Sequence, residues 1–174
     1  MVECVESLRS VWSTEPIPTK VKEEAHVAKV SPEVPSCPEP IVEEGQADVI
    51  IAFERLEALR YAHFLKKDGA LIINDWRIDP MPVVTGATVY PQDLIEKMKA
   101  AGANVDAMDC LTLAREAGSE KAVNLVLLGR LSRHYDIPLE HWQAAIEVCV
   151  PKKFLEINQK AFLLGRNTKL DGEN

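Results

Sequence analysis

Several hallmarks of particular protein classes are absent from this sequence of 174 residues. None of the four cysteines forms a C-x-x-C pair, so neither a zinc nor an iron–sulfur site is predicted. The eight glycines never form the G-x-G-x-x-G loop of a dinucleotide site, and a phosphate-binding P-loop is missing as well. No apolar run approaches the roughly 18 residues that span a membrane. The net charge of −7 argues against a nucleic-acid-binding protein, which normally has a basic face.

The composition that is present is that of an ordinary globular protein, with 47% hydrophobic and 27% charged residues. Residues 1–20 contain charges and prolines where a secretory signal would have an apolar stretch, so we expect a soluble, cytoplasmic protein. In that compartment a disulfide framework is not expected. Cys110 and Cys149 lie within apolar helical patterns, and both are predicted to be buried thiols.

The chain divides near Gly45. Residues 1–46 contain six of the eleven prolines, and they have nine Glu against four Lys and Arg. This composition predicts an irregular acidic segment with one strand around residues 24–30 and, on weaker grounds, a short helix at residues 2–11. An α/β domain is predicted for residues 47–165, followed by a frayed polar tail at residues 166–174.

The start of this domain has the pattern of a βαβ unit. Residues 47–53 (ADVIIAF) form a β-branched run typical of a buried strand, and residues 55–65 show helical spacing. Asp68-Gly69 is predicted to be a turn that leads into a second buried strand at residues 70–74. A strand, a helix and a strand in this order predict a parallel sheet.

The rest of the chain is predicted to be mainly helical. The predicted elements are an extended segment at 81–90, a helix at 92–101 opened by Pro91 and stopped by Gly102, a strand at 104–108, a helix at 110–117 between an Asp109 cap and Gly118, a helix at 120–134 capped by Ser119, and helices that begin at Pro138 and Pro151. The predicted fold is therefore α/β, with a mostly parallel sheet flanked by helices and a helical C-terminal part.

Candidate site residues follow the two buried strands, where open α/β sheets place their ligands. Glu54 follows the first strand, and two interpretations stay open: a carboxylate at a cleft or subunit interface, or an acid that favours a helix start. Asn74, Asp75 and Arg77 follow the second strand. They could line a cleft, or Asn74-Asp75 could form an ordinary turn. A third interpretation is that Asp75 and Arg77 join Asp79 in a surface charge network.

Asn124 is the single polar residue in the apolar helical stretch VNLVLLG. A buried amide needs hydrogen-bond partners, since an unsatisfied one costs about 1–3 kcal/mol. We expect Asn124 to be buried and to bond either within its own chain or across a subunit boundary.

No catalytic, cofactor-binding or metal-binding residue is predicted on this chain. His26, His63, His134 and His141 have no spacing that suits a shared metal ion. A glycine-flanked serine and a placed Cys–His pair are both missing, so no nucleophile is predicted.

Five sequence blocks in collinear order resemble a known family. The blocks are IVEEG (41–45), ADVIIAFERLEALR (47–60), NDWRIDPMP (74–82), KAVNLVLL (121–128) and VPKKFLE (150–156). Together they resemble the gamma-type domain of the 2-oxoacid:ferredoxin oxidoreductases, and within that family the small subunit of the indolepyruvate type.

The resemblance implies a division of labour between subunits. Enzymes of this family oxidatively decarboxylate a 2-oxoacid, here an aryl pyruvate such as indolepyruvate, form an acyl-CoA and pass two electrons to ferredoxin. In the indolepyruvate type, thiamine diphosphate and iron–sulfur clusters lie on a large partner subunit. The resemblance therefore implies a non-catalytic small subunit of a heteromer, with no cofactor on this chain. The charge and composition described above add the expectation that this heteromer is cytoplasmic and contacts neither nucleic acid nor a membrane.

The first 40 residues depart from the family pattern. Members usually begin with a strand and a glycine-rich G-G-Q-G loop, whereas residues 1–40 contain no glycine and six prolines. The first βα unit is therefore expected to be missing or altered. This departure supports an alternative expectation, in which the chain is a stand-alone α/β binding or interaction protein that has lost the enzyme activity.

Overall fold

The computed structural model describes residues 25–28, by their backbone, and residues 42–169. The chain forms two compact units: the first extends to Ala107, and the second begins at Met108. The first unit holds a sheet with its helices, and the second is helical. The predictions at residues 2–11 and at the last five residues of the tail lie outside the described residues.

The sheet of the first unit has four strands in the described part of the chain. They are β1 (Ala25–Ala28), β2 (Ala47–Ala52), β3 (Leu65–Asn74) and β4 (Asn104–Met108), in the spatial order β1-β2-β3-β4. Strands β2, β3 and β4 are parallel, whereas β1 runs antiparallel to β2, with Ala25 opposite Ala52. The predicted mostly parallel sheet is therefore confirmed, and the strand expected around residues 24–30 is β1.

The central strands are buried because their β-branched runs are covered on both faces. Ile50 on β2 and three consecutive residues of β3 are fully buried: Leu71, Ile72 and Ile73. Full burial of one such side chain contributes about 1.5–3 kcal/mol, so each of these residues favours the folded state of this unit.

Three helices accompany the sheet: α1 (Arg55–Tyr61), α2 (Met81–Val84) and α3 (Leu94–Ala100). Leu56 and Leu59 of α1 belong to the same buried cluster as Leu94 and Met98 of α3 and the inner residues of β2 and β3. A short 3-10 turn, Ala62–Phe64, ends the α1 segment. The helix predicted at residues 55–65 is thus divided into two parts.

The turn predicted at Asp68-Gly69 is wrong, because both residues lie inside β3. Between the pairs Ala47↔Leu65 and Val49↔Ala70 the register shifts, so β3 holds extra residues there. Asp68 has a left-handed φ of 67°, and this local turn is accommodated as a bulge instead of ending the strand. A Cβ on Gly69 would lie 2.9 Å from the carbonyl oxygen of Asp48, which explains the glycine.

Two predictions for the segment after β3 also fail. Residues 81–90 were expected to be extended, but they begin with α2, which has Pro82 in its first turn, a position where proline is tolerated. Pro91 does not open the next helix, because α3 begins at Leu94 after Asp93, whose φ of 56° is left-handed. The proline signal therefore placed the start of α3 two residues too early, whereas α2 was missed altogether.

The second unit contains four α-helices in its described residues. They are α4 (Cys110–Ala117), α5 (Val123–Leu131), α6 (Leu139–Cys149) and α7 (Leu155–Asn167). The predicted caps of α4 are confirmed: the backbone N–H of Thr112 donates to Asp109 Oδ1 at 2.9 Å, and Gly118 has a left-handed φ of 116°. Ser119 caps a 3-10 turn before α5 instead of the helix itself.

Helices α5 and α7 cross at two glycines. A Cβ on Gly129 would lie 2.0 Å from the carbonyl oxygen of Phe162, and a Cβ on Gly165 would lie 2.0 Å from that of Val126. Any side chain at either position would therefore collide with the backbone of the other helix. The two helices pack this closely only because both residues lack a Cβ.

Arginines satisfy the carbonyl groups that these two helices leave open at their ends. Buried Arg130 on α5 donates through Nη1 to the carbonyl oxygen of Thr168, just after α7, at 2.9 Å. Arg166 on α7 donates to the carbonyl oxygen of Ser132, just after α5, also at 2.9 Å. Each helix thus supplies a cation to the C-terminal end of the other, where the helix dipole favours positive charge.

Both cysteines of this unit were predicted to be buried, and the prediction holds for one of them. Cys110 is buried as expected, whereas Cys149 is exposed. The prediction for Cys149 is wrong because α6 buries only Ile146, so much of its apolar stripe faces outward. Among the helices of residues 42–169, none combines the length and apolar character that a membrane span requires.

Candidate functional site

The carboxyl ends of β2 and β3 lie side by side, since these two strands are parallel neighbours. Glu54 follows β2, and Asn74 is the last residue of β3. The structure brings four predicted residues together at this edge through the contacts described below: Glu54, Asn74, Asp75 and Arg77.

Glu54 is buried, with 3% of its surface exposed, and both of its carboxylate oxygens accept hydrogen bonds. The backbone N–H groups of Leu56 and Glu57 donate to Oε2 at 2.7 and 3.1 Å, so Glu54 caps helix α1. The N–H of Ile78, at 3.3 Å, and the hydroxyl of Tyr90 donate to Oε1. These four donors offset the cost of burying the carboxylate. The helix-start interpretation of Glu54 is therefore what the contacts show.

Tyr90 is a site residue that the sequence analysis missed. It is buried in the segment between α2 and α3, and its burial, reinforced by the hydrogen bond to Glu54, raises its pKa well above the usual range. The guanidinium of Arg77 lies 4.4 Å from the centre of the Tyr90 ring, in a cation–π contact. The only sequence signal was an aromatic residue before a proline, which is too common to identify a site.

The other polar residues join the two strand ends to one another. The side-chain amide of Asn74 donates to the carbonyl oxygen of Phe53 at 3.1 Å. Asp75 forms an ion pair with Arg55, the first residue of α1. The surface charge network was therefore only partly predicted: Arg77 pairs with Asp79 at 2.6 Å, but Asp75 does not belong to that pair.

Arg77 is an exposed residue whose pKa is raised. The largest cause is the hydrogen bond that its Nε donates to Asp79, and the negative charges of Asp79 and Glu54 act in the same direction. Its guanidinium therefore combines an aspartate partner with an aromatic face, a geometry that suits arginine better than lysine.

The segment that contains Asp75 and Arg77 and continues into α2 is rich in exposed apolar side chains. We call the set of Trp76, Ile78, Met81 and Val84 the apolar edge surface; these side chains are between 43% and 69% exposed. Both oxygens of Glu54 are occupied by donors of the chain itself. The arrangement therefore fixes the position of a loop, and the surface that this loop presents is apolar.

Asn124 lies in the second unit and does not match its prediction. It is exposed, while its neighbours Leu125, Val126 and Leu127 are buried. The prediction of burial is wrong because α5 keeps a narrow exposed face, on which Asn124 lies. Its contact across a subunit boundary stays a prediction. In the part of the chain that the structure describes, no group of three or more His, Cys, Asp or Glu residues is placed to hold a metal ion.

Comparison with known proteins gives consistent results. Subunit IorB of indolepyruvate oxidoreductase from Archaeoglobus fulgidus is 36% identical over 137 residues, which cover 76% of this chain and 68% of the relative. The IorB subunit from Thermococcus kodakarensis is 40% identical over 132 residues, which cover 72% of this chain and 64% of the relative. The chain thus spans about two-thirds of the length of these relatives.

A solved structure shows the same fold. It is the gamma subunit of a keto/oxoacid ferredoxin oxidoreductase from Geobacter sulfurreducens PCA, with a TM-score of 0.51 and 23% identity; the match covers 72% of this chain and 66% of that one. The family model "Pyruvate ferredoxin/flavodoxin oxidoreductase" matches residues 23–168, which include both compact units. On this match and on the identity with the IorB subunits, the chain belongs to the pyruvate ferredoxin/flavodoxin oxidoreductase family.

Proposed function

We propose that this chain is the small, non-catalytic subunit of a 2-oxoacid:ferredoxin oxidoreductase that acts on aryl pyruvates such as indolepyruvate. The observation that supports this most directly is its identity of 36–40% with IorB subunits of indolepyruvate oxidoreductases. In the proposed reaction, a 2-oxoacid and coenzyme A give an acyl-CoA, CO₂ and a proton, and two electrons pass to ferredoxin.

The proposal assigns the chemistry to a large partner subunit. Thiamine diphosphate and the iron–sulfur clusters would be bound there, and this chain would hold neither. The hydrogen bonds of the buried Glu54 carboxylate support this assignment. One of its oxygens caps helix α1 and the other accepts from the loop at Ile78, so neither is left to bind a cofactor or substrate. The proposed complex is cytoplasmic.

The candidate residues then belong to a subunit interface. Glu54, Asn74, Asp75 and Arg77 would organise the edge that faces the partner, and the exposed amide of Asn124 would provide a contact from the second unit. This assignment is supported by the exposed apolar side chains beside the first four residues, since such patches mark binding surfaces more often than free ones.

Affinity purification of this chain from its native cells under anaerobic conditions tests the proposal. Mass spectrometry and iron analysis are then applied to the purified material. We expect a large iron-containing polypeptide in near-equal amount, and we expect the purified complex to reduce ferredoxin when indolepyruvate and coenzyme A are supplied. An aliphatic 2-oxoacid is the matched control for specificity and should be the poorer substrate.

Two results would contradict the proposal. If the folded chain is recovered alone, the alternative of a stand-alone α/β binding protein is favoured. If the chain by itself reduces ferredoxin with indolepyruvate, the non-catalytic assignment is wrong.

A further inference from the structure

The exposed apolar side chains of the first unit are concentrated in one short segment. Within residues 42–107, the large hydrophobic residues that are exposed all fall between positions 76 and 89: Trp76, Ile78, Met81, Val84 and Val89. Scattered single exposures are normal on a protein surface, whereas a cluster of this kind indicates a binding surface.

Helix α2 has apolar residues both on the face that packs against the core and on the face that is exposed. Val83 packs against the buried cluster of the sheet, while Met81 and Val84 are 69% and 65% exposed. These two residues are three positions apart in a helix, so their side chains lie on the same face. Val83 thus provides the contact between α2 and the core of the unit, and the face with Met81 and Val84 is free to contact another molecule.

Hydrogen bonds to Glu54, Arg55 and Asn74 hold the backbone of the first part of this segment in place. The carbonyl oxygen of Trp76 accepts from the N–H of Arg55 at 3.1 Å, and its N–H donates to the carbonyl oxygen of Asn74 at 2.7 Å. The N–H of Ile78 donates to buried Glu54 at 3.3 Å. A surface that is already ordered loses less conformational entropy when a partner binds, so these contacts favour binding.

Both arginines beside the segment are paired with an aspartate. Arg55 pairs with Asp75, and Arg77 pairs with Asp79, while the third carboxylate of this edge, that of Glu54, is buried and bonded to donors of the chain itself. An apolar patch whose neighbouring charges are already paired or buried complements a partner surface that is itself apolar and depleted of charge, as the centres of stable interfaces are.

We propose that the apolar edge surface is the docking site for the large subunit, which binds it through an apolar and uncharged patch. This inference rests on the proposed function and names the surface that it requires. Glu54 is a positioning residue in this scheme: it contacts the loop, and the loop contacts the partner.

A double variant tests the docking surface. M81D/V84D places two carboxylates on exposed positions of α2, and V148D places one on α6 of the second unit, where Val148 is 87% exposed. The complex is formed with the large subunit under anaerobic conditions, and its dissociation constant is measured. We expect M81D/V84D to weaken binding at least about tenfold, and V148D to change it by less than about twofold.

A second substitution guards against a folding artefact and against an effect of negative charge alone. V84K introduces the opposite charge at one exposed site, and we expect it to weaken binding in the same direction. Peptide-resolved hydrogen exchange of each free variant should match that of the unaltered chain outside α2. If a variant fails this check, the other variant supplies the decisive result.

The outcomes separate this inference from the proposed function. If the unaltered chain binds the large subunit and both surface variants bind equally well, the docking site is wrong and the subunit role stands. If the unaltered chain binds no large subunit, the proposed function fails, and this inference fails with it. If the free chain is a dimer that M81D/V84D makes monomeric, a second copy occupies this surface, which also overturns the inference.

The positioning role of Glu54 has its own test, a double-mutant cycle. Y90F removes the hydroxyl that donates to Glu54 Oε1 and leaves the ring under Arg77. We expect Y90F to weaken partner binding about threefold to tenfold in the unaltered chain, but to have little further effect in M81D/V84D. Additive effects of the two changes would show that Tyr90 and Glu54 do not act through the apolar edge surface.

Discussion

The two units of this chain hold their parts in position by different means. In the first unit, a single buried carboxylate on Glu54 collects four hydrogen-bond donors and fixes a loop above the sheet edge. In the second unit, Gly129 and Gly165 allow two helix backbones to touch. Loss of an acceptor leaves donors unpaired, whereas added volume at a glycine forces backbones apart. The two regions are therefore sensitive to opposite kinds of substitution.

Substitutions in the two regions are also expected to differ in whether they affect folding alone or both folding and partner binding. The glycine crossing lies wholly inside its unit, so a change there should act on folding. Glu54 accepts a hydrogen bond from the backbone of Ile78, one of the exposed apolar residues, so a change there should act both on folding and on the surface that we propose for the partner. Substitutions in each region can break or sharpen this comparison.

The largest effect is expected for Gly129→Ala. Its Cβ would lie 2.0 Å from the carbonyl oxygen of Phe162, so helices α5 and α7 must separate, at a cost on the order of 3 kcal/mol of unfolding free energy. Denaturant unfolding combined with peptide-resolved hydrogen exchange measures the loss and locates it in the second unit. The control is Asn124→Ala on the exposed face of the same helix, where we expect a change within about 0.5 kcal/mol. A stabilisation by Gly129→Ala of about 1 kcal/mol, as in an exposed helix, would contradict the tight crossing.

Glu54→Ala should have the next largest effect. It removes the cap of α1, and it leaves the buried hydroxyl of Tyr90 and the half-buried N–H of Ile78 without their acceptor, which together should cost about 2–3 kcal/mol. Faster hydrogen exchange should be confined to α1 and to the loop after β3. The control Asp79→Ala breaks only an exposed ion pair with Arg77 and should cost less than about 1 kcal/mol. If both variants lose the same stability, Glu54 does not organise the edge.

Asp109→Ala should have a smaller effect, and one that depends on pH. Hydrogen bonds from the hydroxyl and the backbone N–H of Thr112 lower the pKa of Asp109 in the folded state. Its contribution, about 1 kcal/mol for an N-cap, is therefore full above the unfolded pKa of about 4 and is lost as pH falls through the lower folded pKa. The free energy of unfolding is measured for Asp109→Ala and for the unaltered chain from pH 7 down to pH 3. The difference in unfolding free energy between the variant and the unaltered chain should become smaller below about pH 4.

The control for this pH series is a substitution of Asp136, which is an exposed aspartate. Asp136→Ala should stay within about 0.5 kcal/mol of the unaltered protein at every pH. A difference between Asp109→Ala and the unaltered protein that stays constant below pH 4 would contradict the assignment of a lowered pKa to Asp109.

The elements that could be predicted are those with local causes. The strand β2 follows from a β-branched run, and the ends of α4 follow from Asp109 and Gly118, whose effects act within one helical turn. Glu54 was found for the same reason, because a strand end followed by a helix start is visible in the sequence. The boundaries predicted at 46/47 and 165/166 stay predictions.

The features that could not be predicted depend on contacts between distant residues. Tyr90 becomes a site residue because its hydroxyl reaches Glu54, 36 positions away. Buried Arg130 is stabilised by the carbonyl of Thr168, 38 positions away. Cys149 was assigned to a core because its helix has an apolar stripe, and only the packing of α6 shows that this part of the stripe is exposed.

The sequence by itself determined the α/β class, the parallel strands, the helical second half and, through its collinear blocks, the resemblance to a family. These depend on periodicity, caps and block order, which are local properties of the chain. Only the tertiary structure decided that Glu54 binds the loop at Ile78, that two glycines bring α5 and α7 into contact, and that apolar residues such as Met81 remain exposed. Burial and hydrogen-bond partners are set by which distant residues come together, and that information appears only in the folded chain.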